Sequence, residues 1–279
     1  MKNISIKILT ILTISVLLFS CKKEETDNNT INPLEGLTKL SEGYATGAGM
    51  KVEIWAEKNF FAGYNKLVAA VYDSINTSQK ITDASITFMP LMSMGMGETA
   101  FEHSSPVENP SAADANGVFT GAIAFTMPTS SEGTWSLGIK VKNNATGKEG
   151  KAEFNITVDN PTPSVITVFT ALEENDPKLV LSFLEPKKPI VGMNDIEFTL
   201  HQKKTMMEWP VLDNYTIEIT PEMPSMGHGS PNNVNPTSTG NGHYKGKVNF
   251  TMTGEWKINV VVKKDGTAVS ENLFFTIVL

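Results

Sequence analysis

The segments NGVFTGAIAFTM (116–127) and NGHYKGKVNFTM (241–252) share one frame: Asn-Gly, an aromatic two residues on, a second Gly, an apolar residue, then Phe-Thr-Met. The match extends in both directions. GTWSLGIKVKN (133–143) is answered by GEWKINVVVKK (254–264), AGYNKLVAAV (62–71) by VGMNDIEFTL (191–200), and EFNITV (153–158) by FFTIVL (274–279). Such self-similarity, at an offset of about 121 to 131 residues, marks a tandem duplication. The boundary falls near Asn160-Pro161-Thr162-Pro163, a run that interrupts both helix and strand. Residues 36–160 are therefore expected to form one domain and 161–279 a second.

Inside each copy the apolar period is two. Trp135, Leu137, Ile139 and Val141 share one face, as do Trp256, Ile258, Val260 and Val262. Phe119, Ile123 and Phe125 alternate in the same way and are matched by Tyr244, Val248 and Phe250. Short alternating runs between Gly, Pro, Asn and Asp clusters indicate antiparallel strands with one buried face. Six to eight such runs in roughly 115–120 residues predict an immunoglobulin-like sandwich. The fold class is all-β: two tandem immunoglobulin-like antiparallel β-sandwich domains, with Trp135 and Trp256 in their cores. No amphipathic helical pattern is evident beyond the first residues.

Those first residues read as a targeting segment. Lys2 and Lys7 precede the apolar run Ile8–Phe19, which is shorter than the roughly 20 residues a membrane helix needs and suits a secretory signal. Leu18-Phe19-Ser20-Cys21 resembles the lipobox of bacterial lipoproteins, so residues 1–21 are expected to be a signal peptide whose Cys21 is lipidated. An ordinary signal peptide cut nearby would instead leave Cys21 as a free thiol. Acyl chains bury about 0.8 kcal/mol per methylene, and more than one chain anchors a protein stably. Residues 22–35 read as a polar tether. Its Lys22-Lys23-Glu24-Glu25 start resembles the surface-export signal of some Bacteroidetes lipoproteins. The expected location is the cell envelope, on a membrane through the lipid, facing either periplasm or exterior.

Composition excludes several classes. Cys21 is the only cysteine, so no disulfide staples the exported part. There is no arginine, and without Lys2 and Lys7 the net charge falls from −7 to −9. A nucleic-acid binder needs a basic surface and favours Arg forks, so that partner is not expected. GxSxG and HExxH are absent and no Ser-His-Asp order stands out, so no enzyme is nominated. Glu173-Glu174 reads as a solvated loop, and His201, just past an alternating strand, as a surface residue.

One chemical constellation stands out. TIEIT (216–220) reads as a strand ended by Pro221, followed by the loop EMPSMGHGSP (222–231), and His243 opens the returning strand. In the first copy ASITF (84–88) precedes MPLMSMGMGETAFEHSSP (89–106). Met92, Met94 and Met96 stand where Met223, Met226 and His228 stand in the second copy. His-x-Ser-Pro recurs at His103 and His228, with Gly97–Glu102 inserted, so His228 corresponds either to Met96 or to His103. Thioether and imidazole donors in a Gly/Pro loop suit Cu(I), whereas zinc favours Cys or fuller His and carboxylate sets and calcium needs clustered oxygens. Neutral Met and His ligands need little deprotonation, so binding weakens only as His protonates. The alternative is that the methionines are gap-fillers capping the open end of each sandwich. A packing plug would be copied by duplication as readily as a metal site.

Met223-Pro224-Ser225-Met226-Gly227-His228, then His243-Tyr244-x-Gly246, then Gly254-x-Trp256, is similar to the YtkA-like domain family and its FixH-like relatives. The similarity covers most of 190–263. The first copy resembles it in degenerate form: Met92-Ser93-Met94 lacks the Pro, and Phe119 replaces the Tyr. The resemblance implies copper handling outside the cytoplasm or a role near cytochrome oxidase assembly, with a copper-accepting or copper-exporting envelope protein as partner. Its ligands would be Met223, Met226 and His228, then His243, with Met92, Met94, Met96 and His103 in the first copy.

Overall fold

A computed structural model describes residues 32–95 and 100–279. The expected signal peptide with Cys21, most of the tether, and Met96 lie outside the described residues. The first nine strands are β1 (Thr38–Ala45), β2 (Met50–Ala56), β3 (Gly63–Asp73), β4 (Ala84–Met94), β5 (Phe101–His103), β6 (Val107–Glu108), β7 (Phe119–Phe125), β8 (Gly133–Asn143) and β9 (Glu149–Ile156). They form two antiparallel sheets of order β1-β2-β3-β7-β6 and β5-β4-β8-β9. The next ten are β10 (Ile166–Thr170), β11 (Lys178–Glu185), β12 (Gly192–Lys203), β13 (Tyr215–Met223), β14 (His228–Gly229), β15 (Val234–Gly240), β16 (His243–Phe250), β17 (Glu255–Lys264), β18 (Thr267–Ala268) and β19 (Leu273–Val278).

These repeat the plan: β10-β11-β12-β16-β15 forms one sheet, and β14-β13-β17 forms the other, with β17 pairing both β18 and β19. The chain is two immunoglobulin-like sandwiches in tandem. The first core surrounds Trp135 and also takes in Ile166 and Val180 of the second sandwich, and the second surrounds Trp256. Among the described residues the only helix is a three-residue 3-10 turn, Thr46–Ala48.

Paired details show why the motifs recur. Asn65 and Asn194 each hold a tight turn. The Asn65 amide donates to the carbonyls of Phe61 and Gly63 at 2.8 Å, and its side-chain oxygen accepts from Phe61 N–H. Asn194 makes the same three bonds to Ile190 and Gly192. The indole N–H of Trp135 donates to Met127 O at 3.0 Å, and that of Trp256 to Met252 O at 3.1 Å. The aromatic-x-Gly motif has a steric cause. A Cβ at Gly121 would collide with the Glu108 carbonyl, and one at Gly246 with the Val234 carbonyl, where an Asn-Pro segment crosses the strand. Those segments place Asn109 and Asn235 so that their side-chain oxygens accept from Phe88 N–H (2.7 Å) and Ile219 N–H (3.0 Å).

That last pair corrects the expected strand ends. β4 runs through Pro90 to Met94, and β13 through Pro221 to Met223, rather than stopping at Phe88 and Thr220. The N–H groups of Phe88 and Ile219 point away from β8 and β17 to the asparagines. By the two-residue period, the N positions of Pro90 and Pro221 point the same way, so proline removes no ladder bond there. The inward face therefore continues as Phe88, Pro90, Met92 and as Ile219, Pro221, Met223, all buried.

Candidate functional site

Because the strands continue past their prolines, the methionines are divided between core and surface. Met92 and Met223 are 0% and 2% exposed and belong to the two cores. Each lies directly opposite a histidine in a short antiparallel pair: Met92 faces His103 across β4–β5, and Met223 faces His228 across β13–β14. The correspondence left open by sequence is thereby decided: His228 is the counterpart of His103. In the second copy the two strands are joined by a tight turn closed by Met226 N–H and Gly227 N–H on Met223 O.

Each histidine abuts a core tryptophan edge-on, His103 on Trp135 at 5.5 Å and His228 on Trp256 at 5.8 Å between ring centroids. The Gly of each Gly-x-Trp motif accommodates the methionine. A Cβ at Gly133 would stand 2.6 Å from Met92 Cε, and one at Gly254 would stand 3.0 Å from Met223 Cε. Each sandwich thus closes with the same four residues: a buried thioether, an imidazole across from it, an indole wall and a glycine floor.

His103 is set up to be neutral. Burial pushes its pKa below the ordinary histidine value, against an opposing bond to Ser104 O. Its Nδ1–H donates to that carbonyl at 2.7 Å, which leaves the lone pair on Nε2. Metal-bound histidines commonly hold their second nitrogen to a backbone carbonyl in this way. The remaining expected ligands are dispersed. Met94 is partly buried opposite Gly133 and Phe101. Met226, at the turn, is 62% exposed. Among the described residues no group of three His, Cys, Asp or Glu side chains converges for a metal.

His243 is placed elsewhere. Its Nδ1 meets Glu197 Oε1 at 2.7 Å and its Nε2 meets Glu108 Oε1 at 2.9 Å, so each ring nitrogen donates to a carboxylate. Bonding to Glu108, reinforced by Glu197, raises its pKa against the effect of burial. With both ring nitrogens taken up by carboxylates, the structure does not bring His243 together with Met223, Met226 and His228 as the sequence expected. Glu108 belongs to the first sandwich and Glu197 to the second, so His243 joins the two. Tyr64 of β3 completes the cluster by donating to Glu108 Oε2 at 2.9 Å. Burial pushes Glu108 up, but the bonds from His243 and Tyr64 outweigh it and leave its pKa lowered.

His201 is also corrected. It lies within β12, is 2% exposed, and burial pushes its pKa down to about 4. The reason is tertiary. Val180, opposite His201 across β11–β12, packs into the first core, so this outer sheet face is covered by the neighbouring sandwich. The loop after β12 reaches across as well: Met206 O accepts from Ser104 N–H at 2.8 Å, next to His103, and Trp209 packs on the first core. Nothing in the sequence flagged Glu108, Glu197 or Trp209, since their partners lie far off along the chain.

Comparison with known proteins places the second copy. Residues 173–261 match the family model described as YtkA-like, and the first sandwich is not matched. No curated protein matches the chain. Among solved structures, the chain is similar to invasin, a bacterial integrin-binding protein, at 13% identity and a TM-score of 0.26, over 82% of this chain and 38% of that one. It is similar to InvD of Yersinia pseudotuberculosis at 16% and 0.25, over 79% and 54%. For red sea bream transglutaminase the values are 11% and 0.22, over 82% and 31%. The chain thus spans 31% to 54% of those proteins' lengths. Residues 173–261, the body of the second sandwich, are a YtkA-like domain.

Proposed function

We propose that the chain is an exported, lipid-anchored protein of the cell envelope that binds copper as Cu(I) at the Met/His ends of its sandwiches. It would buffer the metal, confer resistance, or pass it to a copper-accepting or copper-exporting envelope protein. The observation that carries this reading is the duplicated end: Met92 opposite His103 against Trp135, and Met223 opposite His228 against Trp256. Thioether sulfur and imidazole nitrogen match a soft monovalent ion. Met226, exposed on the turn beside Met223, supplies a thioether that can reach an arriving ion from solvent. Exchange then proceeds one weak ligand at a time, without opening the sandwich.

A second reading has its own observation. Met92 and Met223 are as buried as any core residue, which favours methionine as gap-filler and a non-enzymatic interaction module. Titration of Asn32–Leu279, the compact unit carrying every described strand, with Cu(I) against a competing chelator separates the two. Affinity lost in Met226→Ala and His228→Ala supports copper binding. Affinity indifferent to both leaves the methionines as packing.

A further inference from the structure

A groove of about 480 Å³ runs between the sandwiches, where the end of β2 and the loop before β3 meet β11, the loop after it and β19. Its floor is apolar: Phe61 from the first sandwich, and Val165, Phe183, Leu184, Pro186 and Ile277 from the second. Four lysines stand around it, Lys58, Lys66, Lys187 and Lys188, against a single carboxylate, Glu57. Glu57 is already bound by Lys187 at 2.9 Å. Lys58 lies 4.1 Å over the Phe61 ring. Among the described residues, Lys58, Lys66 and Lys188 have no acidic partner at salt-bridge distance. This uncompensated charge occurs on a chain whose net charge is −7, so it is local and not a reflection of composition.

We propose that this groove binds a free anionic amphiphile, a single-chain aliphatic carboxylate of the fatty-acid class. The apolar floor covers the chain, and the unpaired lysines take the carboxylate. Sites between domains with an apolar lining and a few placed charges are the usual form of a small-molecule pocket, and the volume lies within their range of about 300–1,000 Å³. Lysine suits the rim, because its methylene stem packs along an alkyl chain while its ammonium meets the anion. The neighbouring cleft shares Tyr64, Lys66, Leu184 and Lys187 but is lined by Glu108, Glu185 and Glu197, so the carboxylate is directed to the lysine side.

The test is calorimetric titration of Asn32–Leu279 with laurate, with 1-dodecanol as the uncharged match. The expected result is saturable one-to-one binding of laurate, tighter than dodecanol. Lys66→Glu/Lys188→Glu should weaken laurate by about tenfold or more and leave dodecanol unchanged. Both side chains are exposed, so this double variant keeps the fold intact. No laurate binding, or equal binding by wild type and double variant, overturns the proposal. Co-sedimentation with phosphatidylglycerol vesicles in the absence of laurate binding also overturns it, since the lysines would then serve a membrane surface.

Discussion

Replacing Met223 and Met226 separately by alanine tests the division between core and surface. Met223 is 2% exposed, and truncation removes three side-chain heavy atoms. At about 0.8 kcal/mol for each buried methylene-sized group, the transfer loss is about 2.4 kcal/mol. The residual cavity beside Gly254 and Trp256 adds to this, for a total of about 3 kcal/mol, within the usual range of about 2–5. At about 2–4 °C per kcal/mol for a unit of this size, the melting temperature should fall by about 6–12 °C. Met226 is 62% exposed, so Met226→Ala should stay within about 0.5 kcal/mol. Cu(I) at a hundred times its Kd should stabilise the wild type by about 2.7 kcal/mol. In Met226→Ala a tenfold loss of affinity should shrink that gain to about 1.4 kcal/mol, with no change in the metal-free protein. Differential scanning calorimetry with and without Cu(I) reads both effects. A Met223→Ala variant that melts like wild type would refute the packing reasoning. A Met226→Ala variant that keeps the full Cu(I) gain would refute its role as a ligand.

Further outcomes follow from the same geometry. Gly246→Ala should destabilise by about 1–3 kcal/mol, because the new Cβ meets the Val234 backbone rather than a movable side chain; urea melts check this. Asn194→Ala should cost about 1–3 kcal/mol by leaving Ile190 N–H and two carbonyls without their partner, whereas the same change at Asn155, an exposed residue, should be silent. His243 has a raised folded-state pKa, so its contribution is fully present below its unfolded value near 6.5 and is lost as pH rises through the higher folded value. The stability difference between wild type and His243→Gln should therefore shrink from pH 6 towards pH 9, as followed by thermal melts. A difference constant over that range would mean that His243 does not bridge Glu108 and Glu197 as an imidazolium.

The period-two runs and the repeated NGxxxG, GxW and GxN frames contain the fold, since one-sided burial on a pleated strand forces alternation whatever the partner strand is. They are local signals, and the strands β8 and β16 lie where those runs lie. The Met/His segment stood out as a candidate site because soft donors in a loop-like context are chemically unusual. Its inner arrangement was not legible. Whether Pro90 and Pro221 end a strand depends on which side the missing N–H faces, and that depends on Asn109 and Asn235 arriving from later in the chain. Which residue of the first copy answers His228 depends on hairpin register, and His103 was identified only by its pairing with Met92, as His228 pairs with Met223.

The sequence by itself determined a duplicated all-β chain, two core tryptophans and a soft-donor segment in each copy, because these follow from residue type and spacing within one strand or loop. The tertiary structure alone decided that Met92 and Met223 face inward while Met226 faces solvent. It also decided that His243 is clamped between Glu108 and Glu197, that His201 is buried, and that lysines from both sandwiches ring one groove. Each of those depends on a partner brought from a distant part of the chain, and the packing of one sandwich on the other carries no period that a linear reading can detect.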